Sequence, residues 1–237
     1  MKKTFLTLLL FLSACAPAQA TLPPTVTAAT IPVAVPVTDV PRAIPTPLRQ
    51  AVPTATFPVP PTTPTATQYV TRVTSADGMT QVFVPAGTLH MGGLDVYADN
   101  DELPYHDVTL KAFWIDQTEV TNGMYGLCVQ AGACRPPQKP SSAKRPLYFG
   151  NSEFQDYPVI QITWGDAQAY CTWAGRRLPT EAEWERAARG DDMRTYPWGD
   201  EPPSARYANF NSLVRDTTRV GSYPAGASPF GALDMAG

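Results

Sequence analysis

The stretch from residue 157 to residue 200 constrains the fold more than any other part of the chain. Its sequence is YPVIQITWGDAQAYCTWAGRRLPTEAEWERAARGDDMRTYPWGD. Thr163 is a candidate helix N-cap, and Thr180 begins T-E-A-E, which is the capping-box pattern of a second helix. Gly175 and Gly190 suit the left-handed residue that ends a helix. The stretch therefore predicts two short helices separated by a tight turn.

Apolar residues of this stretch fall at positions that suit burial. β-branched residues follow Pro158 and predict a short buried strand over residues 159–162. On the first predicted helix, four residues share one face at helical spacing: Trp164, Ala167, Cys171 and Ala174. On the second helix, the expected core residues are Trp184, Ala187 and Ala188. No residues here form a catalytic arrangement, so we interpret the tryptophans as anchors of the core.

The composition indicates a globular domain that follows a different kind of segment. The formal net charge of the 237 residues is −3, which gives no reason to expect nucleic acid as a partner. Residues 15–67 are dominated by Pro, Thr, Ala and Val without a helix or strand period, so they predict a disordered tether. In a polyproline II conformation this tether would reach up to about 150 Å. Residues 68–237 are then one domain, long enough to bury a core.

The N-terminus is typical of an export signal. Two lysines precede an apolar run at residues 5–12 that is too short to span a bilayer. The following L-S-A-C resembles a bacterial lipobox, so we predict a signal peptide at residues 1–14 and a lipid on Cys15. That lipid would anchor the protein on the outer face of the cytoplasmic membrane or in the outer membrane. An ordinary secretory signal, cut near Ala18 or Ala20, is the alternative.

The sequence between the tether and residue 157 predicts short strands, one helix and a long loop. Strands are expected at residues 81–84, 88–91 and 106–113. Thr121 is the expected N-cap of a helix that ends near Gly132.

Candidate metal ligands are few in this part of the chain. Residues 95–102 are an acidic loop without the EF-hand spacing, so a solvated loop competes there with a loose cation site. His90 and His106 are the two histidines of the chain. Each stands alone, which argues against a His-built iron or zinc site.

Three cysteines follow Cys15. Cys128 and Cys134 lie six residues apart, and in an exported protein this spacing predicts a local disulfide rather than a metal site. Cys171 lies on the predicted apolar face of its helix and is expected to be a buried, inert thiol.

Several long motifs together resemble one family. They are VFVPAGTLHMG from Val82, FWIDQTEVTN from Phe113, AYCTWAGRRLPTEAEWE with YPWGD, and GSYPAGASPFGALDMAG at the end. In this order they are similar to the formylglycine-generating enzyme (sulfatase-modifying factor) family over about residues 78–237. The resemblance implies an α+β fold of the C-type-lectin-like kind, with short strands, few short helices and much irregular loop.

The resemblance also implies a structural calcium site and a disulfide. Family members hold calcium with an Asn side chain, backbone carbonyls and an Asp, which here gives Asn209, the Phe210 carbonyl and Asp216 or Val214. A metal-free Asx-turn loop is the alternative. In secreted members the position of Cys171 pairs with a cysteine near the C-terminus, and we expect no such partner in this chain.

The resemblance does not assign a catalytic role to any residue of this sequence. The two cysteines that bind copper in the family belong to a final third that follows Gly237, so the domain is expected to be incomplete and no residue present is assigned a catalytic role. The loop at residues 135–157 is shorter and poorer in Trp than in the enzymes. The family's iron-dependent sulfoxide synthases use a separate His-rich domain that is absent here. We therefore expect a non-catalytic relative that binds a glycan or protein, with a copper-dependent formylglycine-generating oxidase as the alternative.

Overall fold

The computed structural model describes residues 15–17, 69–92, 104–192 and 194–237. The expected signal peptide, nearly all of the tether and the acidic loop lie outside these residues. Within the described ranges, no helix has the length and apolar character needed to cross a membrane.

A three-stranded antiparallel sheet lies at the centre of the domain. It is built from β2 (Thr71–Val73), β3 (Thr80–Val84) and β6 (Phe113–Asp116), with β3 in the middle. Val82 and Ile115 are directly opposite each other across β3 and β6, and both are fully buried. The β-branched and aromatic residues of β3 and β6 therefore supply the sheet's buried face.

A separate hairpin follows the central strand. β4 (Gly87–Met91) pairs antiparallel with β5 (His106–Leu110) along five residues. The prediction of one strand over residues 106–113 is wrong, because the chain leaves the hairpin after Leu110 and enters the central sheet at Phe113. One run of strand-forming residues thus serves two different sheets.

The predicted helices are present. They are α1 (Asn122–Gln130), α2 (Trp164–Trp173) and α3 (Glu181–Arg189). The N-caps are Thr121, Thr163 and Thr180, and capping boxes are formed at α2 and α3. Gly175 has a φ of 72° and Gly190 a φ of 79°, as the sequence predicts for helix ends. With the short strands, this confirms an α+β fold.

The strand predicted at residues 159–162 is absent from the structure. Pro158 makes only an isolated bridge to Thr121, and the Val159 N–H donates to the Val120 carbonyl at 2.9 Å. Gln161 then takes a φ of 62°, which an extended strand cannot accommodate. Val159 is buried and Ile160 and Ile162 are half-buried, in irregular backbone instead of a strand.

The buried face of α2 differs from the predicted one at its first residue. Trp164 is 51% exposed, whereas Ala167 and Cys171 are buried as expected. The face that contacts the core runs through residues 166, 167, 170 and 171, and Trp164 begins the helix outside it.

Two cores hold these elements together. In the first, α3 packs on the central sheet, and its buried members are Val82, Val84, Phe113, Ile115, Trp184, Ala187, Ala188, Ala232 and Met235. The second gathers α1, α2 and the cysteines, and its buried members are Cys15, Met79, Val120, Tyr125, Cys128, Cys134, Val159, Tyr170 and Cys171. The helices therefore pack around a sheet too small to enclose a core alone.

A short strand, β1 (Ala16–Pro17), also belongs to the domain. It pairs antiparallel with β7 (Arg176–Arg177), the strand that joins α2 to α3. Cys15 and Ala16 are fully buried. Residues 15–17 therefore pack with the folded domain in the structure, whereas the sequence predicts a tether that begins at residue 15.

A pair of carboxyl groups joins the segment after β6 to the end of the chain. Burial raises the pKa of Glu119 to about 8, and the nearby charge of Asp234 adds to this shift. Burial also raises the pKa of Asp234, although a hydrogen bond from the Gly221 N–H opposes the shift. Burial therefore favours the protonated form of Glu119 near neutral pH, and it acts in the same direction on Asp234.

We expect substitution of Thr180 by alanine to lower the free energy of unfolding by about 1 kcal/mol. The substitution removes the hydroxyl that accepts from the Glu183 N–H at 3.2 Å. Thermal denaturation should show a decrease of about 2–4 °C in Tm. Thr172→Ala is the matched control, because that hydroxyl lies within a helix and only donates to the Gln168 carbonyl. Equal decreases in the two variants would contradict a role for the capping box.

We expect the free energy of unfolding to decrease as pH rises from 5 to 8.5, partly because of Glu119. Its folded pKa of about 8 lies above the ordinary value of 4.5, so between these values the folded state holds a proton that the unfolded state releases. In urea denaturation, the decrease in the free energy of unfolding between pH 5 and 8.5 should be smaller in Glu119→Gln than in the unsubstituted protein by at least about 1 kcal/mol. The exposed Glu153→Gln should retain the decrease of the unsubstituted protein. A Glu119→Gln curve that parallels the unsubstituted protein would refute the assignment.

Candidate functional site

A buried charged cluster is centred on Arg176. Its guanidinium lies 2.5 Å from the Asp77 carboxylate and 3.5 Å from the Asp116 carboxylate. The Tyr170 hydroxyl donates to Asp77 at 2.5 Å, and the Gln81 amide donates to Asp116 at 2.8 Å. Both carboxylates are fully buried and the arginine side chain is 2% exposed. The cluster is therefore closed to substrates and has a structural role.

The two carboxyl groups of this cluster have different pKa values. Burial works to raise the pKa of Asp77, but hydrogen bonds led by that of Arg176 outweigh it and lower the pKa to about 2. At Asp116, burial outweighs the attraction of Arg176 and raises the pKa to about 7. The Arg176 guanidinium thus keeps Asp77 ionised, whereas Asp116 titrates near neutral pH.

Cys15 is hydrogen-bonded to the same cluster. The Cys15 N–H donates to Asp116 at 2.8 Å, and Cys15 forms a disulfide with Cys171. The expectation that Cys171 is a buried, inert thiol is therefore wrong, because its sulfur is bonded to Cys15 and not to a cysteine near the C-terminus. Its partner lies 156 residues away in sequence, and no sequence pattern links two cysteines at such a separation. A sulfur in this disulfide cannot also carry a lipid, so the two uses of Cys15 exclude each other.

The second disulfide joins Cys128 to Cys134 at the end of α1. Their Cα atoms lie 5.3 Å apart, and both residues are buried. Gly132, with a φ of 71°, turns the chain between them. The bridge closes a short loop, and neither sulfur is available as a metal ligand.

The two histidines make local contacts. His90 Nδ1 lies 2.5 Å from the Asp107 carboxylate across the hairpin, and His106 Nδ1 lies 2.8 Å from the Pro104 carbonyl. Among the described residues, no three His, Cys, Asp or Glu side chains gather as a metal site.

An aromatic ladder follows α3. We use this name for Tyr196, Trp198 and Tyr207, whose rings stack in series with centroids 5.1 and 5.0 Å apart and interplanar angles of 7° and 5°. The Trp198 indole N–H donates to the Glu201 carbonyl at 2.9 Å, and the Tyr207 hydroxyl donates to the Glu201 carboxylate. All three rings are partly exposed. The sequence indicates an aromatic loop here, but only the reciprocal pairing of residues 196 and 199 brings the rings face to face.

An open cavity is lined mainly by residues that follow the aromatic ladder in the sequence. Its volume is about 660 Å³, and it is lined by both polar and apolar surface of Asn209, Phe210, Asn211, Ser212, Arg215, Asp216 and Gly237. The cavity thus includes three of the residues that the sequence suggests as calcium ligands.

The candidate calcium ligands do not fit a calcium ion. The Val214 carbonyl accepts from the Lys144 ammonium at 2.7 Å, and Asn209 Oδ1 accepts from the Val214 N–H at 3.4 Å. Both Asp216 carboxylate oxygens also accept hydrogen bonds, from Ser142, Lys144 and Thr217. Calcium needs six to eight oxygens directed at one point, and these oxygens are directed at donors of the chain.

Several known proteins are similar in sequence to about two thirds of this chain. The hercynine oxygenase of Mycolicibacterium smegmatis is 34% identical over 187 residues, which cover 67% of this chain and 44% of that protein. The formylglycine-generating enzyme of Mycobacterium tuberculosis is 32% identical over 214 residues, which cover 66% of this chain and 70% of that protein. This chain spans less than half the length of the hercynine oxygenases that it matches.

A solved structure and a family model agree with these similarities. The structure of PvdO from Pseudomonas aeruginosa matches with a TM-score of 0.57 and 28% identity, over 72% of each chain. The model described as "Sulfatase-modifying factor enzyme 1-like domain" matches residues 66–237. This chain therefore belongs to the sulfatase-modifying factor family, whose members include formylglycine-generating enzymes.

Proposed function

We propose that this chain is an exported lipoprotein whose sulfatase-modifying factor domain binds a glycan or protein ligand without catalysing a reaction. The state of the sulfurs is the observation that supports the non-catalytic part most strongly. In the structure all four cysteines of the chain are paired, Cys15 with Cys171 and Cys128 with Cys134, and a lipid on Cys15 would free only Cys171. A copper site of the formylglycine-generating kind requires two thiolates, which are soft ligands suited to Cu(I). The residues of this chain do not offer such a pair.

The aromatic ladder is the proposed binding surface. The three stacked rings cover one another's faces and are partly exposed at their edges. The Tyr207 hydroxyl donates to the Glu201 carboxylate, and the Arg206 guanidinium lies over the Tyr207 ring. Aromatic side chains next to hydrogen-bonding groups are enriched in recognition surfaces, because their large rings lose little conformational entropy on binding. The stacking already fixes the ring positions, so a ligand would meet a preorganised surface.

Membrane anchoring rests on the N-terminal sequence. The lipobox predicts a lipid on Cys15, and the Pro/Thr-rich tether would then hold the domain away from the membrane. In such a protein the disulfide between Cys15 and Cys171 is absent, because the lipid takes the Cys15 sulfur.

The alternative function is a copper-dependent oxidase that converts a sulfatase cysteine to formylglycine. Its support is the similarity to the formylglycine-generating enzyme of Mycobacterium tuberculosis, of which this chain covers 70%. Because the four cysteines here are paired, this function would require two further cysteines supplied by additional sequence.

We expect Trp198→Ala to weaken ligand binding at least about tenfold, as is typical for an aromatic hot spot. The full chain would first be screened on arrays of glycans and peptides, and the dissociation constant of the strongest ligand then measured for each variant. Trp164→Ala is the matched control, because Trp164 is an exposed tryptophan on a different surface. Equal affinities for the two variants would exclude the ladder as the binding surface. Conversion of a sulfatase peptide by a copper-loaded protein that includes such additional sequence would instead support the oxidase.

We expect the lipid-anchored protein to have one free thiol, that of Cys171. Iodoacetamide treatment of the unfolded, unreduced protein should add one group to a lipidated chain and none to a chain that retains both disulfides. Intact mass and palmitate labelling identify the two forms. Cys15→Ser should lose the lipid label while Cys171 remains reactive. A chain from the membrane-free fraction with no label and no reactive thiol would contradict anchoring through Cys15.

A further inference from the structure

Two loops that are distant in sequence are joined by a cation of the chain. The Lys144 ammonium donates to the Val214 carbonyl at 2.7 Å, and the Lys144 N–H donates to Asp216 Oδ2 at 2.9 Å. The Ser142 hydroxyl donates to the same carboxylate oxygen at 2.8 Å. The Lys144 ammonium thus bonds to the Val214 carbonyl, and the Lys144 backbone N–H bonds to the Asp216 carboxylate. The family resemblance suggests both of these acceptors as calcium ligands.

A second cation completes the connection. Arg145 Nη1 lies 3.3 Å from Asp216 Oδ2, and the same guanidinium donates to the hydroxyl and the carbonyl of Thr217 at 3.0 and 3.2 Å. The guanidinium also lies 4.8 Å from the ring centroid of Phe154 and 4.9 Å from that of Tyr157. Rings and hydrogen bonds together hold the arginine in one position.

The charges of this contact balance without a metal. The Asp216 side chain is 3% exposed. Burial works to raise its pKa, but hydrogen bonds from Ser142, Thr217 and Lys144 and the charge of Arg145 outweigh burial and lower the pKa. The carboxylate is therefore ionised and is paired with one guanidinium, that of Arg145. A calcium ion would add two positive charges to a carboxylate that already has its cation, and it would require the Lys144 ammonium to leave the Val214 carbonyl.

We infer that Lys144 and Arg145 take the place of the structural calcium, so that this domain is stable without calcium. The loop at residues 209–217 is held to the loop at residues 142–145 by the chain's own cations. The stability of the exported domain is then independent of the calcium concentration outside the cell.

The test measures Tm of the full chain with 5 mM calcium chloride (about tenfold above a weak extracellular site) and with EDTA. The unsubstituted protein should show the same Tm in both buffers to within about 1 °C. Arg145→Met should lower Tm by at least about 4 °C in both, because it leaves a buried carboxylate unpaired. Lys144→Met should lower Tm by about 1–3 °C, since Lys144 is exposed.

Arg215→Met is the matched control, because Arg215 is exposed and adjoins Asp216 in the same loop. It should change Tm by less than about 1 °C. An increase of 3 °C or more with calcium in the unsubstituted protein would overturn the inference, as would one equivalent of tightly bound calcium by elemental analysis. Equal Tm values for Arg145→Met and Arg215→Met would also overturn it.

Discussion

The buried ion pair between Arg176 and Asp77 is the contact on which most of the domain depends. Asp77 lies in the turn between β2 and β3, where the Thr74 hydroxyl also bonds to it. Arg176 is in β7, between α2 and α3, and Tyr170 joins the cluster from α2 itself. One ion pair thus connects the sheet to two helices that lie about a hundred residues later in the chain. Removal of either partner would leave an uncompensated charge in a closed interior, which is far more costly than losing an exposed pair.

A second buried arginine, on α3, is likewise held by an ion pair where a helix packs on the sheet. Arg186 of α3 is fully buried, and its guanidinium lies 2.7 Å from the Asp191 carboxylate while it also contacts the Pro85 carbonyl. A Cβ atom at Gly87 would approach Arg186 Nη2 to 2.3 Å. Gly87 is therefore required because it lets the Arg186 side chain approach closely. It is not required for an unusual backbone conformation. Small residues on α3, such as Ala187, complete this tight packing.

Local features of the fold could be predicted from the sequence, whereas contacts between distant residues could not. The capping boxes at Thr163 and Thr180 follow from short-range hydrogen bonding, which the sequence contains in full. The division of residues 106–113 between two sheets depends on partners in β3 and β4, and the exposure of Trp164 depends on which elements pack against α2. The disulfide of Cys171 with Cys15 and the ladder of stacked rings likewise arise only from tertiary structure. At the calcium loop, the sequence identified the oxygens but not the donors from residues 142–145 that occupy them.

The state of Cys15 is coupled to the charge of the central cluster. In the disulfide-bonded form the Cys15 N–H supplies one of the hydrogen bonds that favour ionised Asp116, whose pKa is nevertheless raised to about 7 by burial. If a lipid takes the sulfur and residues 15–17 leave β7, Asp116 loses this donor, and the Gln81 amide loses the Cys15 carbonyl that it contacts at 3.2 Å. Unless water enters, the carboxyl group must then hold its proton more firmly, because Arg176 is already engaged with Asp77. The disulfide between Cys15 and Cys171 and the ionisation of the buried Asp116 carboxyl group are therefore coupled in this domain.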